Sequence, residues 1–298
     1  MKKFLSISLA LCVMASLFLL SACVNSVEDG GKDDQPLCKL SVSVGQLVST
    51  HPITGESNIG TRAALTLSDQ AKALTIFAVA EDGSVAASVT QASTEPGYGS
   101  ITMELPHGSY TLVGVAHNGA QASYADGIIA FEDGKVTDTF IGTKAVALSY
   151  NSSPLSTTIT LQRRVAKLTI DMQDALPPSV NKARVSISTY SPKFDLDANA
   201  GTAAEPLERS FNLTSYRGQT DISISIYTFL PQATTTTSLT YTVTDTSDAT
   251  LYTHTFPSLN LAECTQTKVY GHFFTSSDVW TIELMGDWKT PIDYNIND

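Results

Sequence analysis

The chain has 298 residues and a mass of 31.8 kDa, and only 16% of its residues are charged, against roughly 25% in ordinary globular proteins. Asp and Glu outnumber Lys and Arg by 29 to 18, a net charge of −11, so the clustered positive charge that phosphate backbones require is missing and nucleic-acid binding is excluded. Serine and threonine fill the gap, with threonine runs at 157–158 and 234–237, a composition suited to exposed sheet faces.

Lys2 and Lys3 open the chain, residues 4–20 are apolar, and Leu20-Ser21-Ala22-Cys23 closes the segment. The apolar run is shorter than the roughly 20 residues of a membrane span, and small residues before a cysteine resemble the lipobox of bacterial lipoproteins. That resemblance implies a signal peptide over residues 1–22, acylation of Cys23, and a cell-envelope, oxidising location. An ordinary secretory signal or a membrane anchor is the alternative. Loss of Lys2 and Lys3 would take the net charge from −11 to −13. Residues 23–36 read as an acidic, flexible tether without an apolar period (Glu28, Asp29, Lys32, Asp33, Asp34). Lys32-Asp33-Asp34 resembles the export signal of surface-displayed Bacteroidetes lipoproteins, with a plain hydrophilic linker as the alternative.

Cleavage would remove Cys12 and acylation would occupy Cys23, leaving Cys38 and Cys264. In an oxidising compartment two remaining cysteines favour one disulfide, and two buried, unpaired thiols are the competing reading. Neither cysteine belongs to a CxxC, so zinc and redox catalysis have no support.

After Pro36 the apolar period is two. Leu40, Val42 and Val44 alternate with Ser41 and Ser43; Leu168, Ile170 and Met172 with Thr169 and Asp171; Ile222, Ile224 and Ile226 with Ser223 and Ser225. Each is the pattern of a strand with one face in the core and one in water. Glu81-Asp82-Gly83, Pro106-His107-Gly108, Glu132-Asp133-Gly134 and Tyr216-Arg217-Gly218 punctuate the runs as turns, and residues 69–74 predict a single helical turn. The expected class is all-β. A polar stretch at Tyr150-Asn151-Ser152-Ser153-Pro154 predicts a boundary between two β-sandwiches, residues 37–153 and 154–298, of about seven strands each.

Catalytic signatures are missing: there is no G-x-S-x-G, H-E-x-x-H or P-loop. His107, His117, His254 and His272 are scattered over turns and strands. Asp195, Asp197, Asn199 and Gly201 approach a calcium loop, but the glycine comes one place late and Pro206 stands where the loop needs Glu. No metal, cofactor or enzymatic activity is expected.

The remaining motifs carry meaning through their order. An acidic tether leads into a strand over 39–48. Leu74-Thr75-Ile76-Phe77-Ala78-Val79-Ala80 runs into an acidic Gly turn, Leu105-Pro106-His107-Gly108-Ser109-Tyr110 gives turn and strand, and Leu161-Gln162-Arg163-Arg164-Val165-Ala166-Lys167 opens the second half. In this order they resemble the Bacteroidetes fimbrillin superfamily, most closely its FimB/Mfa2-like branch. The resemblance implies two transthyretin-like, Greek-key sandwiches. It also implies a non-enzymatic anchor, stalk or tip subunit of a surface fimbria on the outer membrane. Its partners would be other fimbrial subunits, joined by donor-strand β-augmentation, and its role would be to support adhesion. It marks Arg62-Ala63, in the exposed loop after the first strand, as a candidate maturation site for a trypsin-like protease; an ordinary surface arginine is the alternative. Two other classes compete. A glycan-binding surface lipoprotein would use exposed aromatics such as Trp280 and Trp288, and an envelope hydrolase is disfavoured by the missing nucleophile motif.

Overall fold

The computed structural model describes residues 36–49, 66–152, 154–274 and 280–286. The expected signal peptide, the expected tether up to residue 35 with Cys23, the Arg62-Ala63 pair and Trp288 lie outside the described residues. The first half of the chain holds β1 (Cys38–Val48), a short helix α1 (Leu67–Gln70), β2 (Ala73–Ala80), β3 (Val85–Ala92), β4 (Ser100–Leu105) and β5 (Gly108–His117). It continues through β6 (Ala122–Ala125), β7 (Ile128–Phe131), β8 (Phe140–Leu148) and β9 (Leu155–Arg163). The helical turn sits slightly earlier than the expected 69–74, because Leu74 is already a core residue of β2.

Seven of these nine strands, all but β6 and β7, form one sheet in the order β3-β2-β5-β8-β9-β1-β4. β8 and β9 share only the pairs Phe140↔Arg163 and Ile141↔Gln162, so the sheet divides at that seam and its two parts pack face to face. Leu74, Ile76 and Leu112 from one part meet Leu40, Val42, Ile101, Met103, Ile159 and Leu161 from the other. Two glycines permit the approach. A Cβ at Gly114 would lie 2.8 Å from Leu161 Cδ2, and one at Gly142 would overlap the Thr160 carbonyl oxygen.

β9 therefore belongs with the strands that precede it, and the boundary expected at 153/154 falls inside this sheet. The chain changes sheets between Arg163 and Arg164. Beyond them lie β10 (Val165–Met172), β11 (Val180–Tyr190), β12 (Lys193–Asp195), β13 (Ala200–Thr202) and β14 (Glu205–Asn212). Then come β15 (Ile222–Phe229), β16 (Thr234–Asp245), β17 (Thr250–Ala262), β18 (Thr265–Gly271) and β19 (Trp280–Gly286). Sheets β15-β10-β18-β19 and β14-β11-β16-β17 enclose the second core. Threonine serves the outer face of the latter, where Thr240 meets Thr255 at 3.1 Å and Thr242 meets Thr253 at 3.0 Å.

A fourth sheet, β13-β12-β7-β6, crosses between the halves through Phe194↔Ile129 and Asp195↔Ile128. Its apolar side chains continue the second core onto β2 and β5, where Phe77, Val79, Val113 and Val115 join it. Both faces of those two strands are buried, which is why the Leu74–Ala80 stretch is a continuous apolar run instead of an alternation. Pro36–Asp298 consequently forms one unit containing two cores. β10 is likewise buried throughout, including Lys167, Thr169 and Asp171 on the face expected to meet water. Neighbouring side chains cover that face: Gln266 donates to Thr169, Ser223 donates to Asp171, and Lys268 pairs with Asp171 at 2.7 Å.

Candidate strand-exchange site

β1 is hydrogen-bonded along both edges. It pairs antiparallel with β4, from Cys38↔Leu105 to Ser43↔Ser100, and parallel with β9, from Leu40↔Leu155 to Val48↔Gln162. Cys38, Leu40 and Val42 are buried in the first core. The register shifts between Val44 and Gln46 at a bulge around Gly45, which moves the inward position from even to odd numbers and buries Leu47 in turn. Each fully buried Leu or Val contributes about 2 kcal/mol through apolar burial. Removal of β1 would thus uncover an apolar groove flanked by two open edges, on β4 and β9.

The two remaining cysteines do not form the expected bridge; both are free and buried. Cys38 starts β1. Cys264 sits in the turn between β17 and β18 with φ 59°, and its thiol donates to the Arg163 carbonyl at 3.0 Å. β9 runs from Leu155, opposite Leu40, to Arg163, so at about 3.3 Å per residue the cysteines lie at opposite ends of a strand more than ~20 Å long. A disulfide tolerates a Cα separation of at most about 7 Å. Burial pushes the Cys264 thiol up to about 12, which keeps it protonated and unreactive.

The point where β9 passes into β10 is built from two adjacent arginines that face different partners. Arg163 is wholly buried. Its Nε donates to Asp138 Oδ1 and its Nη2 to Asp138 Oδ2, both at 2.8 Å, while Nη2 also reaches Gln70 Oε1 at 3.1 Å. The guanidinium lies 4.7 Å from the centre of the Phe140 ring. Arg164 donates to Glu263 Oε1 at 3.0 Å, lies over Phe194, and sends its backbone N–H to the Thr139 carbonyl. Gln70 ends α1, the first described element after the 50–65 stretch, so this cluster ties the chain beyond Arg62 to the seam of the first sheet. Tyr190 adds a second tie: its hydroxyl accepts from Val136 N–H and Arg209 and donates to the Gly134 carbonyl. Burial raises its pKa.

The Arg163-Arg164 pair stands out in the sequence as part of the motif opening the second half, but its partners do not. Asp138, Gln70 and Glu263 lie 25, 93 and 99 residues away, and no local spacing signals them. The histidines are not brought together. His107 packs on Tyr150, His117 is buried against Phe131, and His254 lies between Phe256 and Trp280. Among the described residues no group of three or more His, Cys, Asp or Glu side chains converges as a metal site. In the calcium-like loop, Asp195 Oδ1 accepts from the backbone N–H groups of Asp197 and Ala198. Trp280 packs on Phe273, Phe256 and Tyr252, within the aromatic end of the second core.

The described residues thus form an all-β chain of packed sheets whose first described strand is clasped on both edges. The pattern of the family described as "Mfa2: Fimbrillin-A associated anchor proteins Mfa1 and Mfa2" matches residues 38–270, and the chain belongs to that family. The family is one of fimbrial anchor proteins, not of enzymes. The chain is similar to the solved structure of the fimbrial anchor protein Mfa2 from Porphyromonas gingivalis, at 10% identity over 85% of this chain and 100% of that one, with a TM-score of 0.41. It is also similar to a fimbrial assembly protein from Parabacteroides distasonis, at 15% identity over 84% and 96%, with a TM-score of 0.45. No curated protein matches its sequence.

Proposed function

We propose that this chain is a non-enzymatic structural subunit of a surface fimbria, tethered to the outer membrane by lipid on Cys23 and joined to other subunits by β-strand addition, so supporting adhesion. The observation that carries the reading is the setting of β1. It lies between an N-terminal segment whose sequence resembles a lipobox and the stretch that contains Arg62, its inward residues belong to the first core, and both its edges are paired. A strand so placed can be kept, which leaves the lipid attached to the fold. It can also be removed by cleavage at Arg62-Ala63, and a partner's strand could then restore the same ladders with alternate side chains in the groove. With β1 and acylated Cys23 retained the subunit serves as an anchor; beginning at Ala63 it serves as stalk or tip. The aromatic cluster around Trp280 is packed within the protein, which gives a glycan platform there less support.

Mass spectrometry of protein taken from its native surface tests the reading, because it reports acylation and trimming together. The expected N-terminus is acylated Cys23 or Ala63. Cys23→Ala should leave unprocessed or soluble protein, and unchanged membrane retention would remove the lipid tether from the proposal.

A further inference from the structure

β9 offers β1 a regular ladder, and β1 does not match it residue for residue. Ile159, Thr160 and Leu161 follow one another along β9, the first and last buried and Thr160 exposed. Val44 stands opposite Ile159, Gln46 opposite Thr160 and Leu47 opposite Leu161. Residues 44–47 of β1 therefore face only 159–161 of β9, and Gly45 is the residue without a partner there. The space for it is small. A Cβ at Gly45 would lie 3.4 Å from Thr158 Cβ and 3.8 Å from its Cγ2 and Oγ1, so a longer side chain has Thr158 in its path. Glycine fits, at the entropic cost that glycine carries inside a strand.

The groove itself is periodic. On its β4 side Cys38, Leu40 and Val42 stand opposite Leu105, Met103 and Ile101, all of them buried. On its β9 side Leu40, Val42, Val44 and Leu47 stand opposite Leu155, Thr157, Ile159 and Leu161, which are spaced by two throughout. Measured along β4 and β9, the inward places now held by Cys38, Leu40, Val42, Val44 and Leu47 are evenly spaced. A strand that alternates without interruption fills all of them with nothing left over. β1 fills them with one residue too many.

We infer that the groove beneath β1 is shaped for a different strand: an extended segment of a neighbouring subunit with apolar residues at five successive alternate positions and no extra residue between them. Such a segment forms the same two ladders without a bulge, and β1 is the place-holder that it displaces. The register break at Gly45 is then the feature that keeps β1 replaceable. The inference rests on the strand-addition reading and adds to it the chemistry of the incoming partner.

Deleting Gly45 from the full-length chain tests the groove without any exchange. The deletion removes the extra residue, keeps Gln46 opposite Thr160 and Leu47 opposite Leu161, and should raise the midpoint of urea unfolding. An unchanged or lower midpoint would overturn the inference. Peptides test the partner. A specific-protease site in place of Arg62-Ala63 lets the full-length chain be cut there with the rest of it retained. Labelled peptides of residues 37–49, with and without Gly45, then compete for the groove. The peptide lacking Gly45 should bind at least about threefold more tightly, the weight of one unneeded glycine. Equal or weaker binding overturns the inference and leaves strand addition standing. Entry of neither peptide overturns strand addition and the partner with it, whichever way the deletion moves the midpoint.

Discussion

Arg163 holds both carboxylate oxygens of Asp138 at 2.8 Å, with the two side chains 0% and 2% exposed. The pair sits at the seam where β8 meets β9, and Gln70 completes it from α1. Two charges removed from water are costly, and the bidentate geometry with its further hydrogen bonding offsets that cost. Removing one partner strands the other, so Asp138→Asn or Arg163→Met should destabilise the chain by about 3–5 kcal/mol. Urea unfolding checks this. The double variant Asp138→Leu with Arg163→Met should recover part of the loss, since an apolar pair leaves no charge buried.

His117 should make the fold acid-sensitive. Its side chain is 1% exposed, and burial lowers its pKa from 6.5 to about 4 against a smaller opposing contact with the Gly119 backbone. The folded state therefore binds fewer protons than the unfolded state between these values. The contribution of neutral His117 is complete above pH 6.5, falls as the pH drops toward 4, and is gone below that. The loss is on the order of 3 kcal/mol. His117→Phe, which keeps a ring against Phe131, should flatten the stability profile across this window in unfolding midpoints measured from pH 7 to pH 4.

Limited trypsin should cut after Arg62 before Arg163, Arg164 or Arg184. Arg163 and Arg164 are buried, and Arg184 is paired on both sides, with β14 and β16. Product trimmed at Arg62 should oligomerise if it is a stalk, accept a stalk strand if a tip, and only lose stability if an anchor. An N-terminal fragment map with early cuts elsewhere and Arg62 intact would remove the reason to single out Arg62.

Cys38 and Cys264 should remain unmodified by a thiol reagent in the native protein and both react after unfolding in denaturant. Their burial near opposite ends of β9, and the raised pKa of Cys264, set this expectation. Non-reducing mass spectrometry that finds a Cys38–Cys264 bridge would contradict the arrangement of β1 and β9.

Strand character and its inward faces were open to reading along the chain. The even-numbered sets Leu168, Ile170, Met172 and Ile222, Ile224, Ile226 are core residues, and they oppose one another in β10 and β15. A pleat repeats every two residues, so burial on one face writes itself locally into the order of side chains. The same logic failed where a strand is covered on both sides. β2 and β5 are buried between the two cores, and β10 hides Lys167 under a polar face that looks solvated by pattern alone.

The sequence by itself determined an all-β chain, the acidic surface, the turn positions, the motif order that resembles the fimbrillin superfamily, and β1 as a discrete strand. Only the tertiary structure decided which strands meet. β1 lies beside β9 in parallel, Arg163 closes on Asp138 and Gln70, β7 joins β12 across the halves, and the cysteines stay apart. The division follows from range. Alternation and turn chemistry act within a few residues, whereas strand pairing and buried charge satisfaction join groups up to about a hundred residues apart, chosen by the packing of the whole core and not by any local spacing.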